Sequence, residues 1–240
     1  MKLGIMQPYF FPYLGHFSLI SSVEQWIVFD VTQYTPKTWM NRNRILHPTT
    51  GWQYVTVPLS NSSSSIKTSE ASVLNLADAK KSIIGKLFHY KKSAPYFRKV
   101  IAIVEQAFDE SENNSLVSLN VSALNAVCDY LGISFSYKIC SSLSLEYPLT
   151  LGPGDWAPHI CQQLGATEYV NPIAGKNIFE KTVFHEKNVS LYLAEFTGFN
   201  YATASYVPES HLSILDVMMW NSPEDIMLGL KLGTKLIKAW

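Results

Sequence analysis

The chain has 240 residues, 47% of them hydrophobic and only 16% charged, with 19 Lys plus Arg balanced by 19 Asp plus Glu. That length and apolar content exclude a disordered tail and allow one well-packed domain without disulfide or metal staples. Zero net charge leaves no electrostatic footprint for nucleic acid and is compatible with a homo-oligomer, while the low charged fraction implies a surface of Ser, Thr, Asn, Gln and Tyr, suited to sugars and other neutral partners or simply thinly charged.

The opening run Lys2 to Met6 reads as a short buried strand ended by Pro8. It is too short and too soon broken to be a signal peptide, and no stretch approaches the roughly 18 apolar residues of a membrane span, so a cytoplasmic protein with no membrane span is expected. The next loop is aromatic and proline-rich. Leu14 to Val23 then carries a helical apolar stripe, and Gln25 to Phe29 reads as a second strand with Asp30 at its end. Strand, helix and strand make a βαβ unit and hence a parallel sheet. Gln33 to Pro48 reads as a polar, aromatic loop, Trp52 to Leu59 as a strand and Ser60 to Ser65 as a surface loop.

Residues 76–132 read as helical: Leu76 to Lys92, Pro95 to Phe108, and Leu116 to Leu131 ended by Gly132. Cys128, Cys140 and Cys161 are odd in number and form no CxxC pair, so neither a zinc ribbon nor a disulfide framework is indicated, and the thiols point to a reducing compartment. Strands follow at Ser134 to Ile139, Glu168 to Val170 and Val189 to Phe196, with a helix at Ala157 to Leu164. Ser213 to Trp220 and Pro223 to Ile237 read as terminal helices, the second with Ser222 as N-cap and Pro223 at its first position. The expected class is α/β, a predominantly parallel sheet of nucleotidyltransferase-like, Rossmann type: a single domain over residues 1–240, with a largely helical segment at 76–132 and a helical C-terminus.

Three stretches carry chemistry-bearing residues. Gln7 to His16 lies where the first strand ends and a helix begins, the edge at which ligands bind open parallel sheets. There Gly15 admits a ligand to the backbone, helix N–H groups suit a phosphate, His16 donates to an oxygen and Gln7 bonds a polar ligand. Tyr13-Leu14-Gly15-His16 looks like a degraded His-x-Gly-His signature of nucleotidyl transfer, with Tyr13 in the first histidine slot; the plainer alternative is an aromatic core cluster. Trp39-Met40-Asn41-Arg42-Asn43-Arg44 offers a stacking face, amides and guanidinium groups for phosphate or carboxylate, or is a polar surface loop. Asn171 to Lys176 resembles a second strand-to-loop anion site, with Gly175 for access and Lys176 as a point charge, or is a simple turn. Asp216 sits on a largely apolar helix, to pair with a cation or hold a loop. No metal motif is present.

Met6 to Phe17, Trp39 to Asn43, Tyr169 to Pro172, Gly175-Lys176 and Leu212 to Asp216 together resemble the WbqC-like proteins, in the family's order along nearly the whole chain. The resemblance implies a bacterial protein of surface-polysaccharide (O-antigen) biosynthesis, some relatives being associated with attaching an amino acid such as glycine to an amino sugar. Tyr often replaces His16 in that family, which argues against an indispensable acid or base there. The expected activity is an aminoacyl or acyl transferase on the amino group of a nucleotide-linked amino sugar. Asn41, Arg42 and Lys176 would bind phosphate or carboxylate, Gln7 and Asn43 would orient the acceptor, and His16 or Asp30 would handle a proton. If ATP is the co-substrate, an acyl-adenylate precedes the amide. The alternatives are a non-catalytic module holding a nucleotide sugar or a glycosyltransferase, and a scaffold with an aromatic interface at Tyr9, Phe10 and Phe11.

Overall fold

The structure, a computed structural model, describes residues 1–148 and 150–240. Its centre is a six-stranded sheet of β1 (Lys2–Met6), β2 (Gln25–Val28), β7 (Tyr137–Ile139), β8 (Glu168–Pro172), β9 (Ser190–Phe196) and β10 (Thr234–Lys238). The strands lie in the order β10-β9-β8-β1-β2-β7. All neighbours pair in parallel except β10, which runs antiparallel to β9. From β1 the chain steps outward to β2 and β7, then crosses to the other side of β1 for β8 and β9. The five parallel strands therefore end on one edge, and the direction of winding reverses between β1 and β8.

Alternation along β1 decides which layer each side chain joins. Leu3 and Ile5, with Ile27, Leu191 and Leu193, pack against helices α5 (Trp156–Gln163) and α6 (Lys181–Glu186). The opposite face, bearing Trp26, Val28 and Val170, meets the larger core of α1 (Leu14–Ile20), α2 (Leu76–Leu87), α3 (Phe97–Asp109), α4 (Leu116–Leu131), α7 (Ile214–Trp220) and α8 (Pro223–Gly233). Gly4 is required on that face because any Cβ there would collide with the Trp26 ring. The helical reading of 76–132 corresponds to α2, α3 and α4; α4 begins with Ser115 capping the Ser118 N–H and ends at left-handed Gly132.

Four local expectations are corrected. The helix expected through Ile237 stops at Gly233, so the described chain ends in strand β10 rather than a helical C-terminus. Thr234, Leu236 and Lys238 pair with Phe196, Ala194 and Tyr192, and the ladder outweighs helical continuation. The polar stretch 33–48 contains β3 (Arg42–Leu46), a hairpin partner of β4 (Trp52–Thr56). Leu59–Asn61 forms β5, paired with β6 (Ser72–Val73). Finally, Phe10 and Phe11 are fully buried and Tyr9 alone of the three reaches the surface, half-buried, so they form no three-residue aromatic patch.

Candidate functional site

The loop after β1 is held from three directions. Asn120 on α4 donates its amide to the carbonyls of Pro8 and Met40, at 2.8 Å each. Asn43 on β3 donates to the carbonyls of Phe10 and Phe11 at 3.1 and 2.9 Å, and its Oδ1 accepts the Arg44 N–H at 2.8 Å. Ser213 donates its hydroxyl to Phe11 O at 2.6 Å, and the Ile214 N–H bonds to Pro12 O. The Phe10 N–H reaches Trp39 O at 2.8 Å, bringing the Trp39–Asn43 stretch onto the opening loop. Phe11 is in the left-handed region at φ 37, a strained conformation for a bulky residue that these bonds enforce.

Clamped in this way, the loop presents Tyr9, Pro12 and Tyr13 to a cavity of about 270 Å³ completed by Trp39, Asn43, Arg44 and His211. Tyr13 and Trp39 are each more than a third exposed. The Arg44 guanidinium lies 5.5 Å from the Trp39 ring centre and 5.1 Å from that of Trp52, and it donates to His211 O at 3.1 Å. Arg44 Nε is buried without a partner. Burial raises the phenol pKa values of Tyr9 and Tyr13, so both stand as neutral donors. His211 is exposed yet held at φ 55, and its ring meets Tyr13 edge-on at 6.3 Å. A cavity with aromatic walls and a braced guanidinium can stack a planar or sugar ring and grip one anionic group.

Of the residues named from sequence, Tyr9, Tyr13, Trp39, Asn43 and Arg44 line this cavity, and the other candidate site residues lie elsewhere. Gly15 carries the Tyr13 ring: a Cβ would strike it, so close approach at Gly15 is made by the protein itself. His16 is buried between Tyr9 at 5.6 Å and Trp26 at 5.1 Å, its Nε2 unpartnered, and burial drives its pKa down to about 3. It is a neutral imidazole behind the loop. Asp30 is buried at the end of β2, where it accepts the Ser141 N–H at 2.8 Å and hydroxyl at 2.6 Å. Arg42 stacks on Tyr54 at 4.3 Å and donates to Lys37 O, while Asn41 donates to Val57 O. Gln7 is half-buried at the tip of β1. Lys176 is exposed on the turn after β8, and Gly175 is needed there because Asn171 packs against it.

Asp216 is fully buried and accepts from the Tyr90 hydroxyl, the Leu46 N–H at 3.2 Å and the Tyr201 hydroxyl at 2.9 Å. Burial raises its pKa, with the hydrogen bonds pulling the other way. It ties together the α7 helix, β3 and the loop after β9. Among the described residues no group of His, Cys, Asp or Glu could hold a metal, and no helix is long and apolar enough to cross a membrane.

Arg44 was read only as one guanidinium of the Trp39–Arg44 stretch, with the site role given to Arg42, and His211 was missed as a site residue. The signal for Arg44 was alternation: once 42–46 is a strand, Arg42 and Arg44 share a face and Asn43 turns inward. Nothing local marks His211, whose place depends on the contact of Ser213 with Phe11 across 202 positions.

The comparisons with known proteins cover the same span. The chain is 30% identical over 218 residues to the uncharacterized protein Rv1507c of Mycobacterium tuberculosis, an alignment taking in 90% of this chain and 92% of that one. No solved structure matches significantly. The model of the WbqC-like protein family matches residues 7–227, from the strand tip at Gln7 through the clamped loop, the Trp39–Arg44 segment and α7 into α8, and the chain belongs to that family.

Proposed function

We propose that the protein is an aminoacyl or acyl transferase that acts on the amino group of a nucleotide-linked amino sugar in bacterial surface-polysaccharide biosynthesis. One observation carries the reading: the cavity beside the loop after β1 combines stacking faces with Arg44, a permanent cation buried at Nε without a partner. Such a donor set fits a sugar or base and one phosphate or carboxylate. The cavity adjoins the loop after β1, one of the two strands between which the winding reverses and beyond whose carboxyl ends ligands of parallel sheets sit; its other walls come from β3 and the segment before α7. This is the Rossmann-type reading of the fold.

In the reaction, the sugar's amine nitrogen attacks the carbonyl carbon of an activated acyl donor, an acyl-adenylate where ATP supplies the activation. A C–N bond forms, the C–O bond to the leaving phosphate breaks, and the nitrogen's proton passes to a base. His211, exposed on the cavity rim, is placed to accept it. The test is incubation with glycine, ATP and a panel of nucleoside-diphosphate amino sugars, followed by mass spectrometry. An amide product that Arg44→Ala abolishes is expected. Folded protein that yields no product across the panel refutes the transferase.

A second reading, a non-catalytic module for a nucleotide sugar or a glycosyltransferase, is favoured by the full engagement of Asp30 and Asp216 within the fold. It predicts thermal stabilisation by the nucleotide sugar with no turnover.

A further inference from the structure

Helix α8 has one face in the core and one without a partner. Ile226, Leu230 and Gly233 are buried, and with about 3.6 residues per turn Leu228 stands on the opposite side. Leu228 and Leu232 are 55% and 76% exposed. One exposed leucine is ordinary; two on successive turns make an apolar ridge. Grooves border the ridge on either side. One, about 470 Å³, is walled by Leu228, Gly229, Leu232 and Phe199 among others; the other, about 510 Å³, by Met227, Leu228 and Lys231. The first groove has a firm wall: Phe199 lies so close over Gly229 that a Cβ there would strike its ring, and it stacks on Tyr201 at 5.8 Å. An apolar ridge beside an apolar groove is complementary to a second copy of itself.

The charges favour that second copy and set its direction. Glu224 and Lys231 are about two turns apart, so they lie on one flank of Leu228, one before it and one after. Both are exposed, and neither is in an ion pair among the described residues, whose ion pairs are Lys2–Glu168 and Lys80–Asp109. A two-fold axis that sets two copies of α8 antiparallel keeps each residue on its flank and reverses the order. Glu224 of each copy then meets Lys231 of the other, and the helix dipoles oppose favourably. On the other flank the same operation brings Leu232 to the 470 Å³ groove of the other copy, past Asp225, which already accepts the Ser222 hydroxyl at 2.8 Å. A parallel pair would set Glu224 on Glu224 and Lys231 on Lys231. Zero net charge removes long-range repulsion between copies. The open sheet edge is the poorer route to association, because edge strand β10 exposes Lys235 and Lys238.

We infer that α8 is the interface of a two-fold homodimer, its antiparallel copies enclosing Leu228 and Leu232 and pairing Glu224 with Lys231 on both sides of the axis. One helix face from each copy is a small interface beside the roughly 1,200–2,000 Å² that stable complexes bury, so the dimer is weak and concentration-dependent.

Sedimentation velocity of the full chain over a dilution series tests this. The mass is expected to rise toward twice 27.0 kDa, with a dissociation constant of about 10 µM. Leu232→Glu, at a side chain outside the core, should leave the circular dichroism unchanged and weaken the dimer about tenfold. At low ionic strength Glu224→Lys alone and Lys231→Glu alone should each weaken it by about as much, since each sets like charges together. Mixing those two variants should restore a dimer of one chain of each, in which both opposite-charge pairs are regained. A chain that stays monomeric to about 100 µM leaves the face to another partner or to solvent and overturns the homodimer. A dimer indifferent to Leu232→Glu overturns it too, by placing the interface elsewhere. Failure of the mixed variants to pair overturns the antiparallel arrangement.

Discussion

Replacing Asn43 with alanine should unlock the loop that builds the site. The amide serves three backbone groups at once, and they do not suffer equally. Phe11 O keeps the Ser213 hydroxyl, whereas Phe10 O and the Arg44 N–H lose the partners that Asn43 provides. Each polar group stranded away from water costs about 1–3 kcal/mol, and partial solvation of the Arg44 N–H lowers its share, so the loss is about 2–4 kcal/mol. Against a total stability of about 5–15 kcal/mol for an ordinary domain, that is a large fraction. Urea unfolding followed by the fluorescence of the six tryptophans measures it directly. Asn43→Asp supplies a sharper control: it keeps the acceptor for Arg44 but aims an oxygen at two carbonyl oxygens. At neutral pH it should be at least as unstable as the alanine variant. Protonation turns the offending oxygen into a donor, so the folded carboxyl has a raised pKa and stability should return in acid. An alanine variant within about 0.5 kcal/mol of the parent, the scatter of ordinary surface substitutions, or an aspartate variant indifferent to pH, would show that the clamp does not hold the loop.

Two further perturbations read buried titrating groups. Burial lowers the His16 pKa from 6.5 to about 3, so between those values the unfolded chain binds the extra proton and stability falls on acidification, by about 1.4 kcal/mol per pH unit. His16→Leu should remove that slope from the pH dependence of the urea midpoint; an unchanged slope refutes the neutral, walled-off imidazole. Asp216 is shifted the other way: its raised folded pKa means that its contribution is full below the ordinary carboxyl value of 3.8 and is lost as pH rises through the folded value. Asp216→Asn should therefore gain stability relative to the parent as pH rises through that window, since its carboxamide can still accept from Tyr90 and Leu46 while donating to the Tyr201 oxygen. Parallel pH curves for the two proteins would contradict this.

What the sequence disclosed depended on how local the cause was. Helix α4 was legible to the residue because Ser115, its apolar spacing and Gly132 all lie within it. The βαβ start was legible for the same reason. The end of the chain misled because Leu228, Leu232 and Leu236 recur every fourth residue and mimic a helical core stripe; they are 55%, 76% and 37% exposed, and the stripe covers no core at all. Strand β3 was hidden by its polar composition, since Arg42, Asn43 and Arg44 carry no apolar alternation, and its inward residue is an amide serving the loop rather than a hydrophobe. The clamp as a whole was beyond local pattern: Asn120 meets Pro8 across 112 positions, and only the folded sheet edge brings them together.

The distinction between the clamp and the cavity also explains why the most recognisable motif points only indirectly to the chemistry. The motif stretch from Gln7 to His16 includes Phe10, Phe11, Gly15 and His16, all inside the fold, and the amides and hydroxyl that grip it are buried as well. These residues make the loop rigid at the cost of a strained Phe11, which is worthwhile only if what the loop displays must be held still. What it displays is Tyr9, Pro12 and Tyr13, facing an arginine and a histidine delivered by other segments. Substitutions at the clamp should therefore lower stability and ligand affinity together, whereas Arg44→Ala should lower affinity far more than stability, its structural contacts being one bond to His211 O and its approach to the Trp39 and Trp52 rings. The stretches that resemble the family thus supply both the scaffold and most of the cavity wall, while Arg44 and His211 reach the cavity from positions next to them.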